Sequence, residues 1–112
     1  MRLVALCLLP LMVCLACTAA LPVHVQATIY STENCPPCIR YITAVRAQLP
    51  KRGLIVRDAD AKDAASADIV ITKTPTPGVE IFPMTIIRKN GHEVRRVIGE
   101  LSPLKLAELL DE

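Results

Sequence analysis

The sequence predicts an α/β fold, with a central mixed sheet of about four strands and about three flanking helices. The first indication is the order of the apolar patterns, which follow one another as β-α-β-α-(β)-β-β-α. The second is Asn90-Gly91, a dipeptide typical of a tight antiparallel hairpin. Strands joined through a helix should instead run parallel, with a right-handed crossover, and the predicted sheet is therefore mixed.

The first half of the chain predicts two strands and two helices. Residues 23–30 alternate apolar and polar side chains and then become more apolar, as a strand does. A helix follows from Pro36 to near Pro50, because proline suits a first helical turn and apolar residues then recur at helical spacing. This apolar stripe consists of Ile39, Ile42, Val45 and Leu49. Residues 54–56 predict a short strand, and the alanine-rich residues 59–67 predict a short helix.

The second half predicts a turn, a hairpin and a final helix. Residues 69–71 are apolar and β-branched, which favours a short strand or an extended buried segment. The prolines of residues 74–78 predict a turn. Strands over residues 84–88 and 93–98 form the hairpin, and Gly99 ends the second of them.

The last helix has a clear start in the sequence. Ser102 is the expected N-cap, and Pro103 occupies the first helical position. Its expected buried stripe contains Leu104, Ala107 and Leu110.

Residues 1–20 have the layout of a secretory signal peptide. Arg2 supplies the positive start, an apolar run broken by Pro10 follows, and small residues precede Leu21. The apolar run is shorter than the about 20 residues that a membrane span needs, with an uncleaved anchor as the alternative. We therefore expect a leader over residues 1–20, a single domain over residues 21–112, and export to the periplasm.

Cys17 gives a second interpretation of the leader, as a lipoprotein signal that ends at Ala16. Cleavage there would make Cys17 the first residue of the mature chain and the site of lipidation. Ala16 fits this pattern, whereas Cys14 and Leu15 match the two preceding positions poorly. In both interpretations we expect contact with the membrane only through the leader or a lipid anchor.

Size and charge restrict the classes of partner. The formal net charge of +2 falls to +1 once Arg2 leaves with the leader. So small a charge gives no reason to expect nucleic acid or acidic lipid partners. A mature chain of about 90 residues can bury one modest core without a metal or additional disulfides.

Cys35-Pro36-Pro37-Cys38 is the motif that carries chemistry. It places the first sulfur at the start of a helix, where unsatisfied N–H groups and the helix dipole stabilise an anion. A thiolate is such an anion, so this position favours thiol–disulfide exchange. Pro36 and Pro37 stiffen the loop, but they also remove two N–H donors, so we expect only a moderate stabilisation of the thiolate.

Two non-catalytic alternatives apply to these cysteines. Together with Cys14 and Cys17 they read C-x2-C-x17-C-x2-C, which falls within zinc-site spacings. The leader offers no turns for a zinc knuckle, and we expect no metal. An inert structural disulfide is the other alternative, although so short a loop removes little chain entropy and would stabilise poorly.

The order of elements and the position of Cys35-Pro36-Pro37-Cys38 resemble the thioredoxin superfamily. Residues 28–38, TIYSTENCPPC, are similar to the corresponding stretch of glutaredoxins. Residues 78–91, GVEIFPMTIIRKNG, and residues 97–102, VIGELS, look like thioredoxins. The resemblance covers the chain from Val23 onward and implies a thioredoxin-like fold.

The resemblance also implies roles for particular residues. Cys35 corresponds to the exposed attacking thiolate, and Cys38 to the buried thiol that resolves the mixed disulfide. Pro83 corresponds to the family's cis-proline, which pairs with an extended substrate; an ordinary trans-proline at the start of a strand is the alternative. Phe82 lies beside it in the expected substrate groove and is a candidate apolar cover.

Several positions depart from these families. Asn34 stands where thioredoxins usually have tryptophan, and Ile29 where they have a buried acid. Thr32 and Phe82 replace residues that glutaredoxins use to bind glutathione, and Gly99-Glu100 is shorter than their glycine-rich turn. These departures leave the participation of glutathione open.

These observations predict a monomeric protein-disulfide oxidoreductase without a bound cofactor. Its partners would be a cysteine-containing protein substrate and a protein that donates or accepts electrons, with the direction unassigned. The alternative is a non-enzymatic module that binds peptides beside Pro83 while Cys35 and Cys38 stay in a structural disulfide.

Overall fold

The computed structural model describes residues 23–73 and 78–112. The predicted leader, with Cys17, and most of the predicted turn over residues 74–78 lie outside these ranges. The strands and helices are β1 (Val25–Tyr30), α1 (Pro36–Gln48), β2 (Val56–Asp58), β3 (Ile69–Thr72), β4 (Met84–Lys89), β5 (His92–Ile98) and α2 (Pro103–Asp111). They form one sheet in the order β2-β3-β1-β4-β5. No helix within the described ranges is long and apolar enough to span a bilayer.

The sheet is mixed, as the sequence predicts. Strand β3 runs parallel to both β1 and β2, whereas β4 is antiparallel to β1 and to β5. The predicted α/β class is therefore confirmed, but the predicted counts of about four strands and about three helices are not. The described residues form five strands and two α-helices. The additional strand is β3, for which the sequence allowed either a short strand or an extended buried segment.

The predicted helix over residues 59–67 does not form. Only a 3₁₀ turn, Ala64–Ser66, lies there. The side chain of Gln26 in β1 donates hydrogen bonds to the carbonyls of Ala64 (3.0 Å) and Ala67 (2.9 Å). Because these carbonyls bind a strand side chain and alanine content alone favours a short helix only weakly, the segment stays irregular.

Strand β2 begins two residues later than predicted. The N–H of Ile55 donates to the carboxylate of Asp68 (2.7 Å), and pairing with β3 starts at Val56. This side-chain contact uses the backbone group that a longer strand would need for the ladder.

The predicted stripes of both α-helices are confirmed only in part: Val45 and Leu49 are buried, and Ile42, Ala107 and Leu110 pack half-buried against the core. On α1 the buried residues are Cys38, Tyr41 and Val45, whereas Ile39 is 63% exposed. On α2 they are Leu106 and Leu109, with Leu104 exposed. In α1 the stripe is rotated by about one residue, because a tyrosine and a cysteine take core positions that hydrophobicity alone gave to isoleucines.

The hairpin and the last helix start as the sequence predicts. Asn90 and Gly91 both adopt left-handed backbone conformations, with φ of 51° and 83°, as a two-residue turn between strands of right-handed twist requires. Ser102 caps α2 by accepting a hydrogen bond from the N–H of Lys105 (3.2 Å), and Pro103 is its first residue.

The main core lies on one face of the sheet. Both α-helices pack there, with Tyr41 and Leu106 against Ile29 and Ile87 of the two central strands. A smaller cluster covers the other face, where Val79 and Phe82 pack against Tyr30, Met84 and Ile86.

One polar contact is buried within the main core. The hydroxyls of Tyr41 on α1 and Thr85 on β4 are 2.6 Å apart, and both residues are almost completely buried. Burial raises the pKa of Tyr41 to about 12, and the hydrogen bond to Thr85 offsets this only in part. The neutral phenol is therefore the form that the fold accommodates.

We expect Tyr41 to make the protein sensitive to alkaline pH. Its pKa in the folded state lies above the ordinary value of 10.0, so the stability it contributes is complete below that pH and is lost as the pH rises through about 12. Tyr41→Phe should remove this alkaline loss and cost about 1–3 kcal/mol at neutral pH, because the Thr85 hydroxyl is left buried without a partner. Urea unfolding from neutral to alkaline pH measures both effects.

Tyr30→Phe provides the matched control, since Tyr30 is the only other tyrosine of the chain. It should keep the alkaline loss because Tyr41 is intact. Equal alkaline sensitivity of the Tyr41→Phe variant and the wild type would contradict this assignment.

Candidate active site

The candidate site is built around the start of α1. Asn34 adopts a left-handed backbone conformation (φ 54°), and Cys35 follows as the extended N-cap of the helix. Cys35 and Cys38 are joined in a disulfide, with their Cα atoms 5.2 Å apart. The turn is also closed through the backbone, since the N–H of Ile39 donates to the carbonyl of Cys35 (3.1 Å).

Only one N–H group of the first helical turn is directed at the sulfur of Cys35. The N–H of Cys38 donates to Cys35 Sγ at 3.3 Å. An N-cap side chain is normally served by the second or third N–H of the helix, and Pro37 fills the second position. The two prolines therefore have different effects on Cys35. Pro37 removes an N–H that would reach the sulfur, whereas Pro36 removes an N–H that would not.

The two cysteines differ in accessibility. Cys35 is 8% exposed and Cys38 only 1%. Cys35 is less exposed than the sequence led us to expect, but it is the more accessible cysteine of the pair. An incoming sulfur would therefore reach Cys35 more readily than Cys38.

Pro83 lies at the same end of the strands as the disulfide, where β1 ends and β4 begins. Met84, the first residue of β4, pairs with Tyr30, the last residue of β1, and the loop to Cys35 leaves from there. The Phe82–Pro83 peptide bond is cis. The Pro83 carbonyl accepts a hydrogen bond from the N–H of Gly99 (2.8 Å). This bond ties Pro83 to the residue that follows β5.

Phe82 is half-buried and packs on the smaller cluster. Its neighbours there include Tyr30 and Met84. Its ring is therefore held against the sheet face opposite to α1.

An ion pair that the sequence did not reveal joins the two sides of the site. The guanidinium of Arg40 on α1 donates to the Glu100 carboxylate at 2.8 Å, and both side chains are largely exposed. Glu100 follows Gly99, whose N–H binds Pro83. A separation of 60 residues leaves no pattern in a single sequence that could have indicated this pair.

The position of Ile29 is wholly apolar. Ile29 has no exposed surface and pairs with Thr85 across the β1–β4 ladder. Among the described residues the buried polar side chains are Thr28, Ser31 and Thr85, so no carboxylate is buried behind Cys38.

The described residues contain no group of three or more His, Cys, Asp or Glu side chains that could bind a metal. Cys14 and Cys17, the other half of the zinc-type spacing, lie outside those ranges.

Comparison with solved structures identifies the fold. Thioredoxin from Fasciola hepatica is 19% identical, with a TM-score of 0.56 and coverage of 79% of each chain. The fold is that of the thioredoxins. The periplasmic thioredoxin SoxS of Paracoccus pantotrophus is 16% identical over 78% of this chain and 96% of its own, with a TM-score of 0.51. Thioredoxin-2 of a malaria parasite, a component of its protein secretion machinery, is 16% identical over 82% and 85% of the two chains, with a TM-score of 0.55.

These comparisons agree with the resemblance found in the sequence. They establish the thioredoxin fold for this chain, with a Cys-x-x-Cys disulfide at the start of its first α-helix. No family model and no curated protein sequence matches the chain.

Restoring the missing donor should make the Cys35 thiolate easier to form. Pro37→Ala introduces an N–H at the second helical position, and a hydrogen bond to a charged group contributes about 1.5–3 kcal/mol. We expect the pH at which half of Cys35 is ionised to fall by about one unit. The reduction potential should rise by about 30 mV, because a more stable thiolate favours the reduced form. Alkylation rates as a function of pH, and equilibration with glutathione, measure the two quantities.

Pro36→Ala is the matched control for this experiment. It removes the neighbouring proline, but the new N–H occupies the first helical position and is not directed at Cys35 Sγ. Equal shifts in the two variants would show that loop stiffness, rather than the missing donor, controls the thiolate.

Proposed function

We propose that this chain is a thiol–disulfide oxidoreductase that exchanges the Cys35–Cys38 pair with cysteines of partner proteins outside the cytoplasm. The observation that carries the proposal is the Cys35–Cys38 disulfide at the start of α1, with the more accessible sulfur residue at the N-cap. A bond placed in this way can be attacked at one sulfur and re-formed by the other.

The proposed reaction transfers two electrons and, starting from the Cys35 thiolate, the one proton of Cys38. In the reducing direction the Cys35 thiolate attacks a substrate disulfide, forms a mixed disulfide and releases one substrate thiolate. Cys38 then loses its proton and attacks Cys35 Sγ, which re-forms the Cys35–Cys38 bond and releases the second substrate thiolate. The oxidising direction is the reverse, and in either case a second protein returns the pair to its starting state.

The proton of Cys38 has a limited choice of acceptors. No carboxylate is buried among the described residues, and the raised pKa of Tyr41 keeps its phenol protonated, so it offers no phenolate to accept the proton. The departing substrate thiolate is itself a base and lies next to Cys38 in the mixed disulfide. We therefore assign the proton to this leaving group, directly or through water.

Pro83 and Phe82 are proposed to border the substrate groove. Their support is position, since Met84 and Tyr30 are paired at the edge where the loop to Cys35 begins. An extended substrate segment beside Pro83 would bring its cysteine towards Cys35 from the side opposite to β3.

Export is proposed from the leader of the sequence. The apolar run and small residues of residues 1–20 fit a secretory signal, and the Paracoccus pantotrophus thioredoxin of similar fold is described as periplasmic. In an oxidising compartment a reductant needs a dedicated electron source, which is why the proposal includes a second redox partner.

Replacing the two cysteines should give distinct defects. Cys35→Ser should abolish reduction of insulin disulfides, because the other cysteine of the described residues, Cys38, is only 1% exposed and is poorly placed to attack. Cys38→Ser should instead accumulate a mixed disulfide between Cys35 and the substrate, seen by mass spectrometry and released by dithiothreitol. Full activity of the Cys35→Ser variant would contradict the mechanism. A wild-type disulfide that resists both dithiothreitol and alkylation would favour the peptide-binding alternative.

The processed N-terminus should distinguish the two interpretations of the leader. Mass spectrometry of the full-length protein recovered from a bacterial cell envelope should give a chain that starts at Leu21 without a lipid. A lipid on Cys17 would establish the lipoprotein form, and Cys17→Ser, with Cys14→Ser as control, would then abolish the added mass. An intact Met1 in the cytoplasmic fraction would contradict export.

A further inference from the structure

A groove runs along α1 from Ile39, the residue that follows Cys38, to Arg46. Its cavity volume is about 530 Å³, within the range typical of ligand sites. One wall is α1, from Ile39 to Arg46, and the other is the end of β2 with the turn that follows it. The groove lies on the β3 side of β1, whereas Pro83 lies on the β4 side.

The floor of the groove is apolar. Ile71 near the end of β3, which belongs to the main core, and the half-buried Ile42 on α1, which packs against that core, line it. Ile39 forms the lip and is 63% exposed, although it directly follows Cys38. Ile39 is the one exposed large hydrophobic residue of α1, and packing in the core does not account for it.

The charges around the groove cancel. Arg46 and Asp58 form an ion pair across its far end at 2.6 Å. Asp60 and Lys73 add one negative and one positive charge to the rim. A neutral rim over an apolar floor favours an uncharged, apolar occupant over an anion or a cation.

The separation between Cys35 and the groove matches a short extended peptide. Ile42 follows Cys35 by seven residues, which is about 10 Å of helix. About three residues of extended chain cover that distance. A substrate whose cysteine is joined to Cys35 would therefore place a residue about three positions away in the groove.

We propose that this groove is a specificity pocket for a bulky apolar side chain of the protein substrate, about three residues from the cysteine that is exchanged. The inference rests on the proposed function and adds to it the sequence preference of the substrate. Leucine or phenylalanine would bury its side chain between Ile39, Ile42 and Ile71, and serine would not.

The test compares two disulfide-bridged peptides that differ only at the third residue from the cysteine, leucine in one and serine in the other. Each is made with that residue before and after the cysteine. For the wild type we expect kcat/KM to be about tenfold higher for the leucine peptide in one of the two arrangements, mainly through KM. Equal values for leucine and serine in both arrangements would overturn the proposal.

Two variants test the assignment to this groove. Ile39→Asp places a charge on the exposed lip, and Thr43→Trp, one helical turn further along the same wall, fills the space of the groove. Both should bring the leucine-to-serine ratio close to one. Val94→Asp is the matched control, because Val94 is similarly exposed (53%) but lies on β5 at the other edge of the sheet. It should keep the wild-type ratio, and retention of that ratio by Ile39→Asp and Thr43→Trp would place the preference elsewhere.

Failure of the function is distinguishable from failure of this inference. The reduced wild-type protein is mixed with Ellman's reagent, a small disulfide that needs no groove. Absence of reaction with the reagent and with all peptides would contradict the oxidoreductase itself. Reaction with the reagent and with all peptides at equal rates would contradict only the specificity pocket.

Discussion

The position of the disulfide depends on the pairing of β1 along both of its edges. Strand β1 is parallel to β3 on one side and antiparallel to β4 on the other, up to its last residue, Tyr30. The pairing continues one residue further, where the N–H and the hydroxyl of Ser31 both donate to the Thr72 carbonyl (3.0 and 3.3 Å). The loop to Cys35 therefore begins from a fixed point, and the same ladder fixes the distance to Pro83 through Met84.

Elements whose interactions are local were predicted well from the sequence. The Asn90-Gly91 turn and the cap of Ser102 depend on backbone geometry within a few residues, so their signals are contained in a short stretch of sequence. The helix over residues 59–67 failed because its carbonyls bind Gln26, which lies 38 residues from Ala64. A helix-forming composition carries no information about such a competitor.

The stripe of α1 shows a second kind of limit. Both the isoleucine spacing and the series Cys38, Tyr41 and Val45 fit a helical face. Hydrophobicity favours the face that carries the isoleucines. In the structure the face with Tyr41 is buried instead, and the Tyr41 hydroxyl forms a hydrogen bond there with Thr85, 44 residues away. For the candidate site, the motif pointed to Cys35 and Cys38, whereas Pro83 was indicated only by the resemblance of residues 78–91 to thioredoxins, and the roles of all three stay predictions. The Arg40–Glu100 ion pair and the groove were not foreseen, because each joins segments that are distant in sequence.

The small size of the disulfide ring has a thermodynamic consequence. The ring encloses only the first turn of α1, and the Ile39–Cys35 backbone hydrogen bond closes that same turn without the sulfurs. Opening so short a loop releases little chain entropy, so the disulfide adds little to the free energy of folding. Folding and disulfide formation are two steps of one thermodynamic cycle. The constraint on the chain that folding imposes therefore changes the free energy of disulfide formation only a little. Chain constraint therefore couples the redox state only weakly to folding, which would let the protein change redox state repeatedly while keeping one structure.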